Sequence, residues 1–172
     1  FMLVLLYFVV KDVFMFKKLI KYKDLLVVAS IFLLVFIIYF VTSPGQTHWN
    51  YFVLLADAFN HGRLYLTQNP TWLNELVPVG GKYYIVYPPM PAILLMPYIF
   101  LFGEKASQTI FSILLGSLNV ILVYLLCRRL NFSIKTSFLV TLSFAFGTNH
   151  WYLSSVGSAW FMGHITALFF LL

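Results

Sequence analysis

SPGQTHWNYFVLLADAFNHGRLYL (residues 43–66) and NPTWLNELVPVGGKYYIVYPPMP (residues 69–91) make up nearly all of the one long stretch that mixes polar residues with turn formers. On either side the sequence is lipid-like. Leu25 to Thr42 is eighteen residues without a charge, close to the minimum for a helix that crosses a bilayer. Ser43-Pro44-Gly45 stops it, because proline and glycine interrupt the helical hydrogen-bond ladder. Ala106 to Cys127 is a second uncharged run, of twenty-two residues, closed by Arg128-Arg129.

Charge fixes the orientation of these runs. Lys11, Lys17, Lys18, Lys21 and Lys23, against Asp12 and Asp24, directly precede the first span. Basic residues flanking a span mark its cytoplasmic side. Both clusters then belong inside, and residues 43–105 belong outside. Composition agrees: 62% of the residues are hydrophobic and 9% charged, where soluble domains run at about half and about a quarter. The net charge of +6 comes from short runs beside apolar segments rather than an exposed basic stripe, so nucleic acid is excluded as a partner. The single cysteine, Cys127, permits no intrachain disulfide and reads as a small packing residue.

The chain therefore reads as an all-α polytopic membrane protein, in which transmembrane helices flank a long outer loop carrying juxtamembrane helices and a short hairpin. A basic cytoplasmic segment (1–24) leads into a first span (25–42), the extracytoplasmic loop (43–105) and a second span (106–127). A third span (134–147), an outer segment (148–163) and the start of a fourth span (164–172) follow. The apolar run at 1–10 lacks the preceding basic region and following small-residue site of a cleaved signal. The chain begins at Phe1 and stops inside an apolar run, so it reads as the N-terminal portion of a longer protein.

Within the outer loop, Trp49 to His61 predicts a helix, with Thr47 as its cap and Gly62 ending it. At 100° per residue Asn50, Asp57 and His61 share one face, opposite Tyr51, Leu55, Ala58 and Phe59, as in a helix lying along a membrane surface. Residues 77–84 predict a hairpin about Gly80-Gly81. The run Tyr87-Pro88-Pro89-Met90-Pro91 predicts extended backbone, because a residue before proline avoids the helical region. Ala92 to Phe102, interrupted by Pro97, predicts a juxtamembrane helix. The outer acids are Asp57, Glu75 and Glu104, and the outer cations Arg63, Lys82 and Lys105. His48, His61, His150 and His164 all map to the outer side. That clustering suits a divalent metal, a phosphate or an acid–base role, but no pair has zinc-motif spacing, so no metal ligand or cofactor is assigned.

The order of these features resembles the C-type membrane glycosyltransferase superfamily, in particular its protein O-mannosyltransferase and aminoarabinose transferase branch. The features are a first helix, an amphipathic helix ending His61-Gly62-Arg63-Leu64, Tyr83-Tyr84, then Tyr87-Pro88-Pro89-Met90-Pro91 and Leu101-Phe102-Gly103. Pro88-Pro89-Met90 stands for the family's Pro-Pro-Leu-like element, and Tyr124 to Leu130 is similar to the close of its second span. The resemblance covers residues 25–172. It implies transfer of a sugar from a polyprenyl-phosphate-linked donor to an acceptor of unknown identity on the outer face, with membrane lipid as surroundings; separately, the apparent absence of a long targeting sequence points to a prokaryotic plasma membrane. Arg63 and Lys82 would meet the donor phosphate. Asn50, His61, Tyr84, Tyr87, His150 and His164 would contact substrate. The family's catalytic aspartate follows its first helix, and the matching positions here are Thr47 and His48, so Asp57 or His48 would act as the general base. Two other classes share the composition: a transporter or flippase, which would place ionisable groups at the midplane, and a non-catalytic membrane scaffold.

Overall fold

The computed structural model describes residues 22–172; the apolar run at 1–10 and the basic run through Lys21 lie outside the described residues. The helices are α1 (Tyr22–Val41), α2 (Tyr51–Asn60), α3 (Met90–Phe102), α4 (Gln108–Arg129), α5 (Ile134–Gly147), α6 (His150–Val156) and α7 (Ala159–Leu171). Two strands, β1 (Leu76–Val79) and β2 (Lys82–Ile85), lie between α2 and α3. The described chain is mostly helical. Two of its helices, α1 and α4, are long and apolar enough to cross a membrane by length and composition.

These two run antiparallel. Ile31, Val35 and Tyr39, four residues apart on one stripe of α1, are fully buried against Ile113, Val120 and Tyr124 of α4. Polar contacts pin both ends. At one end the buried Asp24 carboxylate accepts from the Tyr124 hydroxyl at 2.9 Å and from Arg128 Nε at 2.8 Å. At the other, Tyr39 donates to the Ala145 carbonyl at 2.8 Å and Ser43 Oγ to the Ser155 carbonyl at 2.7 Å. The opposite side of α1 leaves Leu25, Leu26, Leu33, Leu34, Ile37 and Phe40 exposed.

Caps set the helix starts. Ser107 accepts from Ile110 N at α4, and Ser133 from Thr136 N at α5. The bounds of α5 are those expected of a third span. Its fourteen residues cover only about 21 Å, short of the ~30 Å hydrocarbon core.

The outer region differs from expectation in several places. Residues 148–163, read as an outer segment, contain α6 and the start of α7, and the last helix begins at Ala159 rather than His164. Thr47 does not cap α2; its hydroxyl accepts from Trp49 N in a local turn, and Asn50 takes the N-cap position without a side-chain bond. Nor does α2 bury a single stripe. Phe52, Val53 and Ala56 are as buried as Tyr51, Leu55 and Ala58, because α3 covers one side through Ala92, Leu95 and Ile99 while Ala159 and Met162 of α7 join the same core. The extended run after the hairpin is shorter than proline chemistry suggested. Pro89 is already in the right-handed helical region and α3 starts at Met90, with Pro91 in its first turn where no N–H donor is required.

The hairpin forms as read. Val79 pairs with Lys82, and Gly80 and Gly81 take φ of +56° and +75°, the doubly left-handed turn whose twist suits a two-residue hairpin. Leu66 joins the free side of β2 through reciprocal bonds with Tyr83 of 2.8 and 3.1 Å. Gly62 ends α2 at φ +70°, as expected.

Candidate functional site

A cleft of about 590 Å³ opens where α1 has ended and α4 begins, at the end of the helical pair opposite Asp24 and Arg128. One wall is the segment 44–49 that follows α1. The facing wall is Tyr152 of α6 with residues 158–161 at the start of α7. Asn74, Glu75 and Tyr87 close the third side from the outer loop.

Two polar residues at the head of α4 hold the walls in place. Gln108 is fully buried; its Oε1 accepts from Phe52 N at 3.2 Å, and its Nε2 donates to the Trp49 carbonyl at 3.1 Å and the Gly157 carbonyl at 2.9 Å. Thr109 Oγ1 accepts from Thr47 N and donates to the Val156 carbonyl. A buried amide or hydroxyl without partners costs about 1–3 kcal/mol. Here the same bonds that satisfy these side chains tie the first wall to the second.

Tyr51 organises the third side. Its ring is buried and meets Tyr87 edge-on at 5.1 Å, while its hydroxyl accepts from the backbone N–H groups of Asn74 and Glu75, both at 3.2 Å. This places Glu75 on the cleft, half-buried, with no ion pair or hydrogen bond to its carboxylate among the described residues. The lining is aromatic: Trp49, Tyr152, Trp160 and Phe161 join Tyr51 and Tyr87, and Trp160 Nε1 donates to the Tyr87 hydroxyl, linking the second wall to the third.

Of the residues singled out from sequence, His48 and Tyr87 line this cleft. The others do not. Asp57 sits on the far part of α2 in a small ionic cluster, 3.3 Å from His61 Nδ1 and 3.9 Å from the Arg63 guanidinium. Asn50 accepts from Trp72 Nε1 rather than sharing a face with that cluster in any common contact. Lys82 lies 4.3 Å over the Tyr65 ring, which also meets Tyr84 at 6.0 Å, so the hairpin forms its own cation–aromatic patch. His164 is exposed on α7, outside the cleft lining. The two proposed phosphate ligands, Arg63 and Lys82, therefore belong to separate local clusters. Among the described residues no group of three or more His, Cys, Asp or Glu side chains converges as a metal site requires.

His150 is an interior residue rather than a substrate contact. It is 4% exposed, its Nε2 is 3.0 Å from the Gly116 carbonyl, and the Phe144 ring lies 4.6 Å away. Burial lowers the imidazole pKa below its usual range, outweighing the bond to Gly116, which raises it. The sign of the linkage follows. The unfolded chain takes up a proton near pH ~6.5, whereas the folded chain resists it, so stability present above that pH is lost as pH falls through the unfolded and then the lowered folded value. Thermal unfolding followed between pH 7 and pH 5 is expected to show a decline that His150→Gln flattens. An equal decline in the variant would assign the effect to other groups.

The sequence reading passed over Gln108 and Thr109, placed Tyr51 only on the apolar face of its helix, and noted Glu75 without assigning it. A signal for the first two was present. A glutamine and a threonine opening an otherwise apolar helix must find hydrogen-bond partners once buried, and the partners available were the turn-rich segments on either side. No family model, curated protein or solved structure matches this chain.

Proposed function

We propose that this chain belongs to an integral membrane glycosyltransferase that moves a sugar from a polyprenyl-phosphate-linked donor to an acceptor on the extracytoplasmic face. Its N-terminus would be cytoplasmic, in a prokaryotic plasma membrane. The observation that carries this reading is the cleft: an aromatic-lined cavity holding a carboxylate with no ion pair or hydrogen bond among the described residues, at the end of the apolar helices remote from their basic flank. Aromatic faces suit the apolar faces of sugar rings, and the exposed apolar side of α1 is what a lipid-facing helix presents. Glu75 takes the role of general base in preference to Asp57, whose carboxylate is engaged by His61 and Arg63. His48, on the same cleft, is the second candidate.

In this mechanism Glu75 removes the proton from the acceptor nucleophile as it attacks the anomeric carbon. The bond from that carbon to the phosphate oxygen breaks, and the polyprenyl phosphate departs with the electron pair. General-base catalysis of this kind contributes roughly 10²–10⁴-fold. Membranes containing the protein, given a polyprenyl-phosphate donor with a radiolabelled sugar, are expected to consume the donor and release polyprenyl phosphate. Glu75→Gln should slow this by about a hundredfold or more, while Asp57→Asn retains most of it. A donor left intact across a panel of sugars, or wild-type turnover in Glu75→Gln, would sink the assignment.

A further inference from the structure

The cleft has an electrostatic character that narrows what it can hold. Among the described residues Glu75 is the only carboxylate that lines it, and no lysine or arginine does. The cations of the outer region are elsewhere: Arg63 beside Asp57, Lys82 over Tyr65, and Lys105 in the turn before α4, outside the lining. A phosphate brought here would face the Glu75 carboxylate with no guanidinium or ammonium to offset it, and recognition of phosphate ordinarily rests on such groups. Every other lining side chain apart from His48 is uncharged, and six of them are aromatic rings.

From this we propose that the cleft receives an uncharged sugar and excludes phosphate, so that it is the acceptor subsite and the donor's phosphate lies outside it. This rests on the transferase reading and adds a division of labour within it. Three residues could supply polar groups to select the sugar: Asn74, Gln46 and Ser158 all line the cavity alongside Glu75. A carboxylate accepts hydrogen bonds from vicinal hydroxyls in the way it cannot from a phosphate oxygen. The volume, about 590 Å³, lies within the ~300–1,000 Å³ range of small-ligand clefts. The bond between Trp160 and Tyr87 joins two of its walls, so an indole that reports on its environment lies within the lining.

Two of the chain's four tryptophans, Trp49 and Trp160, line the cleft, which makes intrinsic fluorescence a direct readout. The protein would be held in lipid nanodiscs, because alkyl glycoside detergents would themselves compete. It would be titrated with methyl glycosides and with the matching sugar 1-phosphates. The expected result is a saturable emission change with one or more methyl glycosides, at least about tenfold (~1.4 kcal/mol) weaker binding of the 1-phosphates, and a smaller gap between the two in Glu75→Gln. Trp160→Phe should remove most of the signal. Sugar phosphates binding as well as or better than the glycosides would overturn the proposal while leaving transferase activity, scored by donor consumption, intact. No emission change with either series would likewise overturn it. Glycoside binding without donor consumption would retain the subsite and remove the transferase reading.

Discussion

Arg128→Leu is expected to lower the stability of the helical bundle by about 3 kcal/mol, near the lower bound for stripping one partner from a buried ion pair. Asp24 is almost completely buried, and Arg128 is about a quarter exposed, which places the cost at that lower bound. Without the guanidinium the buried carboxylate loses this ion pair and keeps the Tyr124 hydroxyl at 2.9 Å among its remaining contacts. Arg128 also donates to the Phe132 carbonyl, so its loss frees the α4–α5 turn. The cost should therefore exceed that of Arg128→Lys, which keeps the charge but loses the planar fork that meets two acceptors at once. The double variant Asp24→Leu/Arg128→Leu removes both charges and should recover much of the loss, as apolar replacement of whole buried pairs commonly does. Thermal unfolding in detergent by far-UV circular dichroism separates these cases. A double variant no better than Arg128→Leu would mean that the pair is not what joins α1 to α4 at this end.

That ion pair also shows what could be read directly. Asp24 and Arg128 stood at the two charge clusters assigned to one side of the membrane, and the fold brings them within 2.8 Å at one end of the antiparallel pair. Local chemistry was legible wherever one residue type dictates one conformation: Gly80-Gly81 made the hairpin turn, and Ser43-Pro44-Gly45 followed the end of α1. Ser133 accepted from Thr136 N at the start of α5. Periodicity was incomplete for α2. Its apolar side reads as Tyr51, Leu55, Ala58 and Phe59, but Phe52, Val53 and Ala56 are buried as well, against α3, a packing partner that cannot be inferred from the helix itself.

The candidate site was less legible because it is assembled from segments far apart in the chain. His48 and Glu75 belong to one cleft only because Tyr51 carries the Asn74-Glu75 backbone to it and Gln108 draws Trp49 and Gly157 together. Helical spacing, by contrast, correctly put Asp57 and His61 one turn apart, yet the pair closes on Arg63 as an ionic cluster and does not line this cleft. A resemblance in motif order directed attention to the end of α2. The cavity formed at its beginning, where the chain leaves α1.

Gly157→Ala is expected to cost about 3 kcal/mol, the sum of a left-handed backbone forced on a residue with a Cβ and the overpacking of a filled contact. Gly157 ends α6 at φ +60°, and a Cβ there would lie 2.8 Å from Ser112 Cβ and 2.9 Å from Thr109 Cα. The serine can be trimmed, but the Thr109 contact is backbone and has no rotamer with which to yield. Relief must come from moving the α6–α7 turn away from α4. That displacement breaks the bonds from Gln108 Nε2 to the Gly157 carbonyl and from Thr109 Oγ1 to the Val156 carbonyl, which join the two walls of the cleft. The variant should therefore lose cleft geometry as well as stability, with red-shifted Trp160 emission at temperatures where the helices remain intact. Gly62→Ala provides the control, since Gly62 has φ +70° and nothing within 4 Å of an added Cβ; it should cost only the backbone portion, about 1 kcal/mol. Adding Ser112→Gly to Gly157→Ala should restore part of the loss but not all, because Thr109 Cα remains in the way. Equal costs at Gly157 and Gly62, or unchanged Trp160 emission in Gly157→Ala, would show that this close approach does not hold the cleft together.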